Sequence, residues 1–463
     1  MIAQRLPGGR AEGAALALGT VALVSGAAYL TLRTGAPQTL GPVVAVLAAL
    51  GVTAGFARAP HVMIAATIPF MVALPTVTSL WVPWLGPSKD ALVLAAVAGV
   101  ALARRGPADA PLLRDPWLLA AGGLLLLLYV VNPADGHGAG WFHATRLVAE
   151  PLALLVVALA VPSPRRCLGA AMSALIGTSV VVALIGLAQQ AAGPGALADL
   201  GFRYGEEIRT IDGRLRSFGT LDEPFAYAAL LLLGLVAVWF WMRPGPWRAT
   251  AATVILAGLA GSLVRTAALA VVALLALWLV RRGRPVLAAA LAAALIAFAC
   301  LILLDPGASR AERISSSPDI AVTLNGRSDA WAAVLGGPAT WPFGRGAGEI
   351  GTGASRAEEG LVVEARHASR DPGTSVDSAY LAAVADVGLV GLAVLLVLLG
   401  RLGVLALASA RDGRREGLLA GGFLTVLIVD GLTRSSFTGF PTAFIGMLVI
   451  GLALSAARVD DRP

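Results

Sequence analysis

The sequence predicts an all-α polytopic membrane protein of about 12–14 transmembrane helices with one large extracytoplasmic loop. Three observations predict it. The 463-residue chain is 57% hydrophobic and only 14% charged, with a mean hydropathy of +0.80. Apolar stretches close to the ~20 residues that a ~30 Å hydrocarbon core demands recur along its length. Arginines gather in alternate short loops and leave the loops between them nearly free of basic residues.

In chain order the first seven spans fall near Ala14–Leu32, Leu40–Phe56, Val62–Leu80, Ala91–Ala103, Pro116–Val131, Thr145–Val161 and Leu168–Ala188. These are plain runs of Ala, Val, Leu and Gly with short connections. The next four lie near Phe225–Met242, Ala249–Leu263, Ala267–Val280 and Val286–Leu304. The last three lie near Gly388–Ala408, Leu418–Leu432 and Thr442–Ala457. Pro and Gly punctuate the boundaries, as at Gly106-Pro107, Gly193-Pro194 and Pro244-Gly245-Pro246. Residues 1–304 thus form a helical region with a shorter outer loop at 193–223. Residues 305–377 form the large loop, and residues 378–463 carry the last helices.

Orientation follows from arginine placement. Arg58, then Arg104 and Arg105, then Arg165 and Arg166, then Arg243 and Arg248, and later Arg411, Arg414 and Arg415 all mark one side. The positive-inside rule puts these in the cytoplasm and both polar loops outside. The +7 net charge is therefore a topology signal, and nucleic-acid binding is not expected. Two cysteines, Cys167 and Cys300, offer no disulfide framework. Four histidines without a Cys/His cluster offer no obvious metal ligand set, so neither metal nor cofactor is expected. Arg5 and Arg10 precede an apolar run too long for a signal-peptide core, which reads as an uncleaved first helix. The single lysine, Lys89, reads as a trace of composition rather than of function.

Charges within or at the ends of helices need an explanation. Arg146 and Glu150 are spaced i,i+4, as are Asp430 and Arg434, so each pair shares a helix face and can neutralise itself. Arg265 has no acid nearby in sequence, and an unpaired cation at a helix–helix turn asks for an anionic partner.

Several stretches stand in a distinctive order. Ala183–Ala192 reads ALIGLAQQAA and is followed by Arg214-Leu-Arg216-Ser-Phe-Gly-Thr and by Glu223-Pro224-Phe225. Gly261-Ser-Leu-Val-Arg265 comes next, then Gly326-Arg327-Ser-Asp-Ala-Trp331, then Pro342-Phe-Gly344-Arg-Gly346-Ala-Gly348. Val376-Asp377-Ser-Ala-Tyr380-Leu381 closes the series before Val387-Gly388. In this order and spacing the chain resembles the O-antigen ligase and polymerase superfamily, over about residues 168–398.

That resemblance implies a fold similar to the C-type glycosyltransferase architecture. It implies an enzyme of the bacterial cytoplasmic (inner) membrane that acts on its outer face without metal or nucleotide. The donor would be an undecaprenyl-pyrophosphate-linked oligosaccharide and the acceptor a glycan or lipid-linked hydroxyl, with membrane lipids around both. Such a reaction needs fixed cations for the pyrophosphate leaving group, and arginine supplies a planar, permanently charged fork. It also needs a base for the acceptor hydroxyl. Arg265 and Arg216 are the expected catalytic cations, and Arg327, Arg146 and Arg434 further substrate contacts.

Family members often carry His-Asn before the Tyr-Leu pair, whereas this chain has Asp377-Ser378 ahead of Tyr380-Leu381. Asp377 is therefore the expected base, or else an N-cap of the next helix. His367 lies ten positions upstream and is the alternative, while Tyr380 is expected at the substrate. Ligase and polymerase share these expectations, and the aspartate tilts the reading toward a polymerase or an exopolysaccharide-type ligase. Gly346-Ala-Gly348-Glu-Ile-Gly351 matches GxGxxG, but no strand precedes it, and its glycines read as a tight loop against the bilayer. The alternative from another class is a transporter of a small solute or lipid-linked glycan. A transporter would show ionisable residues near the midplane and repeated helix bundles, and no repeat is visible.

Overall fold

A computed structural model describes residues 37–103, 111–132, 138–205, 207–211, 213–281, 284, 287, 312–313, 321–322, 342–348 and 378–458. The described residues are mostly helical. In chain order they form α1 (Pro37–Arg58), α2 (Pro60–Leu80), α3 (Ser88–Ala103), α4 (Pro116–Val130), α5 (Ala139–Ala160) and α6 (Pro164–Asp199). There follow α7 (Pro224–Trp241), α8 (Pro246–Gly261), α9 (Arg265–Arg281), α10 (Ala379–Arg411), α11 (Arg415–Asp430) and α12 (Thr442–Arg458). The expected spans Ala14–Leu32 and Val286–Leu304 lie outside the described residues, as does most of the expected loop 305–377.

Six described segments are long and apolar enough to cross a membrane, among them Pro60–Leu80, Pro83–Ala103, Gly140–Ala160 and Pro224–Trp241. Shorter apolar helices such as Pro116–Val130 and Thr442–Arg458 accompany them. This is the make-up of a membrane-embedded, multi-pass protein. Exposed Trp81, Trp84, Trp117 and Trp247 stand at helix ends, where an amphipathic ring suits a membrane–water boundary.

Local sequence explains the helix starts. A proline opens the first turn of α2, α4, α6, α7 and α8, where its missing N–H costs nothing. Asp115 caps α4 by accepting from Leu118 N at 3.0 Å. The same carboxylate receives the Arg401 fork of α10, with Nε 3.1 Å from each oxygen. Arg401 holds the Asp115 carboxyl below the usual carboxylate range, despite partial burial.

Two helices run further than the hydropathy suggests. The expected span Leu168–Ala188 is part of α6, which continues to Asp199 across a kink at Gly193. Gly193 sits at φ +79°, and Pro194 opens the second helical piece. The span expected from Gly388 begins earlier, at Ala379, because Gly388 is a kink at φ +72° inside α10 rather than a helix start. A Cβ at Gly388 would stand 2.4 Å from the Pro342 carbonyl carbon and oxygen, so backbone packs directly on the kink. The fold is also not purely helical. Two short antiparallel ladders occur, β1 (Arg209–Ile211) with β2 (Arg214–Arg216) and β3 (Glu312–Arg313) with β4 (Ala321–Val322).

The core centres on α12 and α7. Every residue from Thr442 to Ala457 is buried, with α12 packed on α5, α6 and α11. Tyr227 of α7 lies wholly inside, over Gly186 of α6 and Gly258 of α8. A Cβ at Gly186 would meet its hydroxyl at 2.0 Å, so the glycine makes room for the ring.

Candidate functional site

The paired glutamines at the end of the first piece of α6 build one wall of the site. Gln189 Oε1 accepts from Phe218 N at 3.1 Å and Gly219 N at 2.9 Å, and its Nε2 donates to Gly219 O at 2.7 Å. Gln190 Nε2 donates to Leu215 O, Ser217 Oγ and Gly261 O at 2.6–2.9 Å. Ser217 N donates to Gly261 O at 2.9 Å, and Ser217 Oγ to Gly186 O at 2.8 Å. The chain from Leu215 to Gly219 is thereby pinned between α6 and the α8–α9 turn.

Arg216 is carried inward by this arrangement. It is 3% exposed, donates from Nε to Ser262 O at 3.2 Å and lies 4.6 Å from the Phe225 ring centroid. Three residues beyond Ser262, Arg265 opens α9 and is exposed, with no hydrogen-bond or ion-pair partner among the described residues. The Arg214–Thr220, Gly261–Arg265 and Ala183–Ala192 stretches thus meet through direct bonds.

Glu223 and Arg434 form the second wall. Arg434 Nε lies 2.6 Å from Glu223 Oε1, and its Nη1 is 3.0 Å from Thr442 Oγ1 and 3.9 Å from Asp430 Oδ2. Ser436 Oγ donates to Asp430. Burial would raise the Glu223 carboxyl, but Arg434, Arg209 and Arg216 outweigh it and hold the group below its ordinary range. Burial likewise opposes the charge on Arg434, and Glu223 and Asp430 outweigh it. The start of α10 docks on this turn. Ala379 N donates to Gly431 O at 2.9 Å and Arg434 O at 3.0 Å, and Tyr380 Oη to Ile428 O at 2.9 Å. The N-cap residue of α10 is Ser378, and Asp377, expected as the base or as the cap, lies outside the described residues.

A third feature was read in the sequence only through its Arg146–Glu150 pair, and Lys89 and Asp90 complete it. Lys89 is 5% exposed and donates to Asp90 Oδ1 and, at 2.7 Å, to Glu150 Oε2. Arg146 Nη1 reaches Asp90 Oδ2 at 2.7 Å. These four charges form a ring with one open edge, where Arg146 Nε and Glu150 Oε1 stand 3.9 Å apart and neither has a hydrogen-bond partner. Lys89 also lies 5.3 Å from the Phe444 ring centroid and 5.8 Å from that of Phe440, beside the turn that carries Arg434. Lys89 is therefore no trace of composition. Its singularity in an arginine-rich chain was the one available signal. Glu150 lies near the middle of α5, so ionisable residues occur within a span as well as at helix ends.

Asp386 of α10 is a further polar residue missed in the sequence. Tyr129 Oη donates to its Oδ2 at 3.2 Å and Gly348 N to its Oδ1 at 3.1 Å. Asn132 Nδ2 donates to Asp386 O and Phe343 O. Gly344 and Gly348 take φ of +78° and +80°, and a Cβ on Gly348 would meet Gly140 backbone at 2.1 Å. These glycines therefore fit the segment 342–348 against α10 and α5, correcting the expectation of a loop against the bilayer. Asp386 and Tyr129 line a small cavity of about 50 Å³ whose other walls are mainly apolar, with Leu147, Leu398 and Met447 among them and Ser435 and Thr438 at the turn.

The structure thus brings Arg216 and Arg434 near Glu223, with Tyr380 docked on the end of α11, Arg265 three residues beyond the Ser262 that Arg216 bonds, and Arg146 in the neighbouring ring. Asp377, Arg327 and His367 lie outside the described residues. No group of His, Cys, Asp and Glu able to hold a metal occurs among the described residues. No known protein-family model matches the chain, and no curated protein matches it.

Proposed function

We propose that the chain is a metal-independent glycosyltransferase of the C-type architecture. It ligates or polymerises an undecaprenyl-pyrophosphate-linked glycan on the outer face of the bacterial cytoplasmic membrane. One observation carries this reading. Three of the stretches on which the family resemblance rests, Ala183–Ala192, Arg214–Thr220 and Gly261–Arg265, are far apart in sequence and are joined by direct hydrogen bonds. They surround arginines that include an unpaired one.

The chemistry assigned to these residues is a displacement. The acceptor hydroxyl oxygen attacks the anomeric carbon of the donor, and the bond from that carbon to the pyrophosphate oxygen breaks. The bonding pair leaves with undecaprenyl pyrophosphate, and the hydroxyl proton passes to Asp377, or to His367 if that residue is the base. The Glu223–Arg434–Asp430 cluster balances most of its own charge, so Arg265 supplies the uncommitted cation for the leaving group, with buried Arg216 adding positive potential. Arg146, Arg327, Arg434 and Tyr380 contribute substrate contacts. The test is incubation of purified protein with lipid-linked oligosaccharide. A longer or ligated glycan and released undecaprenyl pyrophosphate support the reading, and the absence of both refutes it.

A second reading, transport, takes its support from the buried ring of Lys89, Asp90, Arg146 and Glu150. Ionisable groups within spans often mark ion or substrate paths. Uptake of labelled solute by proteoliposomes that make no glycan product would favour it.

A further inference from the structure

Arg434 is held on three sides. Its Nε is bonded to Glu223, its Nη1 to Thr442, and Gly439 lies so close that a Cβ there would stand 3.0 Å from Nη2. A guanidinium carries five N–H donors in a rigid plane. Fixing Nε and one Nη1 hydrogen fixes the plane, and the Nη2 hydrogens have no hydrogen-bond partner among the described residues. An arginine oriented in this way binds a planar or tetrahedral oxyanion with less loss of side-chain freedom than a mobile one.

Glu223 has been diverted to this task. It is the N-cap residue of α7, yet its side chain makes no capping bond there and instead reaches Arg434, 211 residues away in sequence. Glutamate is a poor N-cap residue compared with Asp or Ser, so the position is not explained by helix capping. The surrounding arginines hold the carboxyl below its ordinary range, which makes it a weak proton acceptor.

We propose that Glu223, with Thr442, is a positioning residue that presents the remaining donors of Arg434 to the phosphate oxygens of the lipid pyrophosphate. This rests on the donor assignment above. It makes a prediction of opposite sign to simple charge balance. If Glu223 only neutralised the cluster, removing its charge would tighten the binding of an anion. If it orients Arg434, removing it weakens that binding.

The experiment is titration of undecaprenyl pyrophosphate into the full chain in nanodiscs, with undecaprenol as the anion-free control. Arg434→Ala and Glu223→Gln should each weaken undecaprenyl pyrophosphate binding about tenfold while leaving undecaprenol unaffected. Glu223→Asp should recover part of the loss. Equal or tighter binding in Glu223→Gln, in a preparation where Arg434→Ala is weakened, would overturn the positioning role. Thr442→Val leaves both charges in place, so unchanged affinity in that variant overturns it even if Glu223→Gln does not fold. If the wild-type protein binds undecaprenyl pyrophosphate no better than undecaprenol, the donor assignment itself fails, and this role fails with it.

Discussion

Lys89 Nζ lies 2.7 Å from Glu150 Oε2, joining the second turn of one membrane-spanning segment to the middle of another. Both side chains are buried, and the pair closes one edge of the four-charge ring. Removing one partner of a buried ion pair strands the other charge, which costs about 3 kcal/mol or more. Lys89→Met and Glu150→Gln are each expected to lower thermal stability markedly in detergent. The Lys89→Met/Glu150→Gln double variant should lose less than the sum of the two, because no full charge of the pair is then left alone. Additive losses would show that the two side chains are not coupled.

Tyr227 gives a prediction of packing. Its hydroxyl is buried without a hydrogen-bond partner, so Tyr227→Phe should be neutral or stabilising. Gly186→Ala places a Cβ 2.0 Å from that hydroxyl and should destabilise by about 1–3 kcal/mol. Combined with Tyr227→Phe, the cost of Gly186→Ala should shrink. Unfolding midpoints of the four proteins decide the matter, and an equal cost in both backgrounds would place the strain elsewhere.

Orientation can be tested at two exposed positions. Cys167 is unsuitable as a reporter because it is fully buried. In a Cys167→Ser, Cys300→Ser background, Tyr204→Cys should react with a membrane-impermeant maleimide in intact cells, whereas Asp412→Cys should react only after lysis. The reverse pattern would place the candidate site on the cytoplasmic side and remove it from any extracytoplasmic glycan.

The Glu223 carboxyl titrates below its ordinary range in the fold, whereas in the unfolded chain it titrates near 4.3. The sign follows from linkage. Its contribution is fully present above the unfolded value and is lost as pH falls from there through the folded value. Thermal stability should therefore be insensitive to this group from about pH 5 upward. Glu223→Gln should flatten part of the acid-side loss, and a change confined to pH 7–9 would contradict the assignment.

Hydropathy and arginine spacing made the helices legible, because apolar length and loop charge are properties of contiguous sequence. Tertiary packing decided what they missed. The kinks at Gly193 and Gly388 arise where glycine accepts a positive φ, and at Gly388 the neighbouring backbone presses against it. In the site, the i,i+4 pairs Arg146–Glu150 and Asp430–Arg434 were visible, but each spans 3.9 Å and the closer partners come from other helices. Lys89 with Glu150, and Glu223 with Arg434, are long-range pairs that no local pattern encodes. The unpaired state of Arg265 was legible because a lone cation lacks local acids, and no distant residue among those described supplies one.

Glycan transfer by Arg265 variants tests the central claim most directly. Purified protein in liposomes would be supplied with undecaprenyl-pyrophosphate-linked oligosaccharide and acceptor, and product would be counted against protein amount. Wild-type protein should extend or ligate the glycan and release undecaprenyl pyrophosphate. Arg265→Ala should reduce transfer by about a hundredfold, and Arg265→Lys, which keeps the charge but loses the fork, should remain impaired. Unaltered product from correctly inserted Arg265→Ala would contradict the assignment of this site to the leaving pyrophosphate.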